Sequence, residues 1–277
     1  MNNPDFITLT GAKITKKVSA KHIPSHVQAD TLFTFTTKLD YLLQTLNCKY
    51  VAPRYCDENI SYLKIGKKKM SFPMKCFCDI NMHRLDEHLS WYGHYGLAFA
   101  KEWGMHKNIQ PIQYINPESL LCKDFSTTFK AALKVNPEKQ TSAERTLKNF
   151  LLHQLMFYKP YSGKFRNRNT GKMTDKCFTD ECEWRFVPDV SIENYQQVYF
   201  DNRIPPADVL RDFNGSLAQL PSVSLSFEYS DLKYVIVKTI ADFTEFITTI
   251  ESWNLPQNIE HELISKVLVW ETSKGDF

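Results

Sequence analysis

The chain has 277 residues, 43% of them hydrophobic, enough to bury a substantial core and to exclude wholesale disorder. A net charge of +3 is too small to imply a nucleic-acid partner by itself, and no run of about 18 apolar residues marks a membrane span. The opening "MNNPDFITLTGAKITKK" lacks the apolar stretch of a signal peptide, and seven irregularly spaced cysteines suit a reducing, cytoplasmic setting rather than a disulfide framework.

Residues 1–29 are polar and basic without periodicity and read as an N-terminal arm; residues 30–277 read as a single α+β domain. "ADTLFTFT" (Ala29–Thr36) is rich in β-branched and aromatic residues and predicts a short strand. In "TKLDYLLQTL", Leu39, Leu42, Leu43 and Leu46 recur at helical spacing. "KYVAPRY" is a second extended piece, and the chain then turns at Gly66 into the apolar strand of "GKKKMSFPMKCFCDI". "NMHRLDEHLSWYG" predicts a helix with Leu85, His88 and Leu89 on one face. "HYGLAFAKEWG" and "IQPIQYI" predict further strands, and residues 118–158 are mainly helical with a break near Pro137. Lys159–Pro188 reads as a β-hairpin turning at Asn169-Thr170-Gly171. After a loop at Pro205-Pro206, "LKYVIVKTIADFTEFITTIE" predicts a strand and then a helix capped near Asp242. The final "HELISKVLVWETSKGDF" fits helix or strand. Without a βαβ rhythm, the pattern predicts an α+β fold: a mixed or antiparallel, strongly bent sheet flanked by helices.

Five stretches carry candidate chemistry. Cys76 and Cys78 sit one residue apart on a strand, near His83, His88 and His94. Period two points both thiols to one face, but it does not turn the chain around an ion as zinc knuckles do. Cys177 and Cys182 form no knuckle either. All four read as buried packing, with no metal. In "DECEWR", strand alternation puts Glu181, Glu183 and Arg185 on one face, with Cys182 and Trp184 turned towards the core. That face is either a solvated ionic ladder or an active-site edge, where a carboxylate grips a sugar hydroxyl and stabilises an oxocarbenium-like transition state. "YGHYG" offers His94 and Tyr95 between Gly93 and Gly96, as a plain turn or as the rim of a cleft that "DECEWR" completes. Arg54 and Tyr55 end an extended segment and suit an anion or a glutamate. Lys164, Arg166, Arg168 and Lys172 make the hairpin tip basic, a solvated surface or a contact for phosphate or an acidic partner. No phosphate-loop, dinucleotide or nucleophile-elbow motif occurs.

The ordered series "LFTFT", "PRY", "PMKCFCDI", "YGHYGLAFAKEW", "YKPYSGKF" and "DECEWRFVP" resembles the AbiG-i family of abortive phage-resistance proteins over roughly residues 30–200, with a weaker echo in "LKYVIV". The resemblance implies bacterial phage defence and an antitoxin paired with a nucleotidyltransferase-like toxin. A looser similarity is to DarT-type ADP-ribosyltransferases, and it implies an ADP-ribosyltransferase-like fold that uses NAD. There, "TLFTFT" would supply the first strand, with Thr34 where a histidine is expected. Glu183, or Glu181, would be the late catalytic glutamate, Arg54 would face the cofactor phosphates, and His94 or Tyr95 would position the nicotinamide. The missing histidine points to an activity altered or lost. Three functions therefore follow for test: an antitoxin-like or sensor component binding a protein partner, with no cofactor; an NAD-dependent ADP-ribosyltransferase or NAD glycohydrolase; and a nucleic-acid binder using Lys164, Arg166 and Arg168.

Overall fold

The computed structural model describes residues 23–25, 28–166 and 171–276. Most of the arm expected at 1–29, and the predicted turn at Asn169-Thr170, lie outside the described residues. The first half of the chain runs β1 (Thr31–Thr36), α1 (Leu39–Cys48), β2 (Tyr50–Val51), β3 (Arg54–Asn59), β4 (Lys69–Cys78), α2 (Leu85–Tyr92), β5 (Tyr95–Ala100), α3 (Lys101–His106), β6 (Gln110–Pro111) and β7 (Gln113–Ile115). It continues through α4 (Leu120–Lys134), α5 (Ser142–Phe157), β8 (Tyr158–Pro160), β9 (Ser162–Arg166), β10 (Met173–Cys177), β11 (Glu183–Phe186) and β12 (Tyr199–Phe200). The remainder is α6 (Ala207–Leu217), β13 (Leu225–Ser226), β14 (Leu232–Val237), α7 (Ile240–Glu251), α8 (Gln257–Ser265), β15 (Val267–Val269) and α9 (Trp270–Ser273).

A mixed α+β architecture results. The main sheet follows the order β15-β14-β5-β1-β4-β11-β6, with β3 and β12 also paired to β4. Only β14 and β15 run parallel within it. β4 changes neighbours along its length. Lys69–Met74 pairs with β3, whereas Lys75–Cys78 pairs with β11. Pro73 sits close to that changeover, where a residue without an N–H interrupts the ladder least.

Alternation along the strands separates two cores. Leu32, Leu97, Phe99, Val235 and Val237 face α1, α7 and α8, and meet Leu42, Leu46, Phe246, Ile250 and Leu263. Phe33, Cys78, Ala98 and Ile236 face the other way, onto Leu85 and Leu89 of α2 and onto Trp270. A third core lies under α4 and α5, where Phe125, Phe129, Leu152 and Leu155 cover Met70, Phe72 and Met74. The predicted leucine stripe of α1 is buried in full, and the predicted cap near Asp242 is a capping box with Thr239.

Several expectations needed correction. "AFAKEWG" does not continue as a strand. β5 ends at Ala100, and Lys101 opens α3 with its ammonium turned inward onto Asp79, at 2.9 and 2.8 Å from the two oxygens. "IQPIQYI" is two short strands with different partners: Gln110–Pro111 pairs with β11 and Gln113–Ile115 with β8, while the Ile112 N–H between them still donates to the Glu183 carbonyl of β11. The ambiguous C-terminal segment contains helix, strand and helix in turn. Helix α6 was not anticipated; its apolar residues Leu210, Phe213 and Leu217 pack beneath Tyr55.

Gly93 is the residue that sets the sharp exit from α2 into β5. Its φ of +116° is open to glycine, and a Cβ there would lie 2.2 Å from the Thr36 carbonyl oxygen. Gly93→Ala should therefore lower unfolding free energy by at least about 2 kcal/mol, read from a denaturant melt. A loss below about 0.5 kcal/mol would show that the turn is not constrained.

Candidate functional site

The densest set of ionisable groups gathers where β11, β8, β10 and β3 meet α2. β11 pairs with β4 in a register that sets Glu183 opposite Cys78 and Arg185 opposite Cys76. Cross-strand partners share a face, so both charges point with the thiols, into the protein. The acidic face is therefore buried rather than solvated, while Trp184 and Cys182 on the other side also pack against core clusters. Arg185 is 0% exposed, Glu181 3% and Glu183 6%, while Cys182 and Trp184 are half-buried. The solvated ladder is excluded. The hairpin also differs: β9 and β10 form it, whereas Glu181 ends a short helical turn and β11 joins the main sheet. Cys182, with a left-handed φ of 40°, makes that switch.

The two carboxylates still converge, through a lysine that sequence reasoning did not single out. Lys159 Nζ lies 2.5 Å from Glu181 Oε2 and 2.7 Å from Glu183 Oε2. Arg185 holds the other Glu183 oxygen at 2.8 Å and Glu58 at 3.0 Å, and donates to the Met156 carbonyl at 2.5 Å. Lys176 reaches Glu181 Oε1 at 2.8 Å, and the Tyr92 hydroxyl donates to the same oxygen. Three carboxylates thus meet three cations, and the cluster is internally neutral.

Electrostatics follow from this pairing. Burial pushes Glu183 upward, but Arg185 and Lys159 outweigh it and hold its carboxyl well below the usual range. Glu181 is likewise lowered: burial opposes ionisation and Lys159 favours it. Burial dominates at Glu58, which is raised despite Arg185. Burial also lowers Lys176, and it takes His88 down to about 4, so that imidazole is neutral where it packs, tilted by 34°, against Tyr92 at 4.5 Å. The Cys76 and Cys78 thiols are pushed well up by burial, which leaves them poor nucleophiles. Among the described residues, no three His, Cys, Asp or Glu side chains are grouped to hold a metal ion.

A cleft of about 380 Å³ opens beside the cluster, between α2 and the segment from β10 to Glu181. Glu181 and Lys176 form part of its wall. The other sequence candidates sit elsewhere. Glu183 is buried, pairs with Lys159 and does not line this cleft. Tyr95 donates to Asp242 at 3.1 Å, and His94 lies among the charges of Lys238, Asp86 and Glu271, with Nδ1 buried and, among the described residues, without a hydrogen bond. Thr34 is buried in the middle of β1. Arg54 is exposed on β3, while Tyr55 is buried, its hydroxyl donating to the Gln196 carbonyl at 2.5 Å. These residues do not surround one cavity. In the basic hairpin, Lys164 pairs with Asp175 at 2.8 Å and Arg166 donates to the Gly171 carbonyl at 3.2 Å, while Arg168 lies outside the described residues.

Fold and site together define an α+β protein with a self-neutralised ionic core and a small polar cleft at its edge. A family model described as "Putative abortive phage resistance protein AbiGi, antitoxin" matches residues 49–238. The abortive phage resistance protein AbiGi of Lactococcus lactis subsp. cremoris is 30% identical over 245 residues, which span 81% of this chain and 98% of that protein. The chain belongs to the AbiGi family of abortive phage resistance proteins. No solved structure matches it. Among the described residues no helix is long and apolar enough to cross a membrane.

Proposed function

We propose that this member of an anti-phage family acts in the cytoplasm as an antitoxin, restraining a toxin partner by direct protein contact rather than by catalysis. The family description names an antitoxin, which supports a toxin partner. The observation that carries the non-catalytic part is the pairing of Glu183. One of its oxygens is held by Lys159 and the other by Arg185, in the buried interior, and the acid that an NAD reaction would require is not among the residues lining the cleft. A ribose hydroxyl could reach Glu183 only by displacing a buried cation, a change that costs several kcal/mol.

Co-expression tests the reading. The protein alone should leave bacterial growth unchanged, and it should restore growth when the nucleotidyltransferase-like toxin expected beside its gene is induced. Purified protein incubated with labelled NAD should release no nicotinamide. Growth arrest by the protein alone, relieved by Glu183→Gln, would replace this reading with the NAD-consuming one.

A further inference from the structure

Lysines crowd one face of the molecule, where the turn between β3 and β4 meets α4. Residues 64–69, "KIGKKK", and 118–134, "ESLLCKDFSTTFKAALK", together hold seven lysines against two acids, Glu118 and Asp124. Asp201 sits against the turn, and counting it leaves a surplus of four positive charges, in a chain whose net charge is only +3. The two segments touch. Ser126 donates to the Leu63 carbonyl, Cys122 Sγ lies 4.0 Å from the Tyr62 carbonyl oxygen, and Lys64 pairs with Glu118 at 3.6 Å.

Helical spacing sets the direction of the lysines on α4. Lys123 lies three residues before Ser126 and Lys130 four residues after it, so both flank it on the side turned to Leu63, and Lys134 continues the row. All three are exposed and make no ion pair among the described residues. The helix dipole favours Lys134 in the last turn but opposes Lys123 beside the first, which carries no acid. Thr127 fills the gap between Lys123 and Lys130, and no large apolar side chain is exposed between Lys123 and Lys134. The neighbouring turn is fixed from behind. Asp201 Oδ1 accepts from the Lys68 and Lys69 N–H groups at 2.8 and 3.0 Å, and Gly66 bends the chain at a φ of +82° with open space around it. Lys67 is drawn towards Asp201 and the Phe200 ring, while Lys68 and Lys69 stay exposed.

We infer that this face binds the phosphodiester backbone of a double-stranded nucleic acid, without reading its sequence. Protein–protein interfaces centre on aromatic or aliphatic anchors and are depleted in lysine, whereas this row is lysine without such an anchor. From Lys123 to Lys134 the row is about 16 Å long at a rise of about 1.5 Å per residue. Flexible side chains at its two ends therefore reach phosphates on both sides of a groove about 12 Å wide. Such contacts supply affinity and position but no sequence information. The inference is independent of the antitoxin reading. It also differs from binding by the β9–β10 hairpin, where Lys164 and Arg166 are already engaged.

The test uses the full chain and fluorescence anisotropy, with a labelled DNA duplex of mixed sequence, about 20 base pairs long, and the matching RNA duplex. Wild type should bind at least one of them, with affinity falling steeply between about 50 and 200 mM salt. Lys123→Gln/Lys130→Gln/Lys134→Gln should match the wild-type thermal melt, because these side chains are exposed. It should weaken binding at least about tenfold at about 50 mM salt and flatten the log–log salt slope by about 2–3. Lys164→Gln/Arg166→Gln should bind as wild type does. Failure of wild type to bind either duplex, or equal affinity and slope in the triple variant, overturns the inference. So does a labelled polyglutamate bound as tightly as the duplexes, which would make the face a docking surface for an acidic protein. If the triple variant fails to fold, Lys130→Gln alone decides the matter, with a smaller loss and a slope change of about 1.

Discussion

Arg185→Met should be the most damaging single substitution at the buried cluster, lowering unfolding free energy by about 3–5 kcal/mol in a urea or guanidinium melt. The side chain is 0% exposed, pairs with Glu183 and Glu58, and donates to the Met156 carbonyl. Methionine fills similar space but leaves two acidic partners and a carbonyl without their donor. The penalty is therefore the cost of orphaned groups, not the worth of one attraction. Adding Glu58→Gln and Glu183→Gln should recover part of the loss, because it removes the uncompensated charges. A loss below about 1 kcal/mol for Arg185→Met would mean that water or a shifted neighbour satisfies those acids, and the description of a closed ionic core would fail.

Lys159→Met should reverse the pH dependence of stability as well as lower it, by about 3 kcal/mol at pH 7. In the wild type, Glu181 and Glu183 titrate below their unfolded values. Their contribution is present above an unfolded value of roughly 4.3 and is lost as pH falls through the folded values. Without Lys159, two buried carboxylates that shared one ammonium repel each other and remain desolvated. Arg185 still holds Glu183 down, but Glu181 loses the cation that most offsets its burial and is expected to titrate above its unfolded value, so at that site the folded state binds more protons than the unfolded state. The variant should lose stability as pH rises from the unfolded value through the folded one. Its deficit relative to wild type should accordingly shrink between pH 7 and about pH 5. Chemical melts at several pH values read this directly; parallel curves for the two proteins would refute the shared-lysine geometry.

The residues of the cluster show where sequence reasoning stops. Glu181, Glu183 and Arg185 were visible as an unusual acid–base run, and their joint direction followed from strand period two. Whether that direction was solvent or core depended on what covers β11, and the covering elements, α5 and β8, lie more than twenty residues earlier in the chain. Lys159 carried no local signal. It precedes a proline and follows a helix, and it becomes the centre of the network only once β8 packs beside β11. Glu58 is equally remote from Arg185, its partner across the sheet.

Local chemistry by itself determined a good deal. Leucine spacing specified α1, the Thr239–Asp242 box specified the start of α7, and β-branched and aromatic runs specified β1, the apolar part of β4 and β14. The ordered motifs were enough to indicate the family. These features arise from neighbours a few residues apart, whose geometry the backbone period dictates. The exchange of partners along β4, the inward turn of the ionic face and the cleft beside α2 were decided only in three dimensions. Each depends on segments distant in sequence arriving at one place, and the sign of burial at a position is set by what arrives rather than by the residue there.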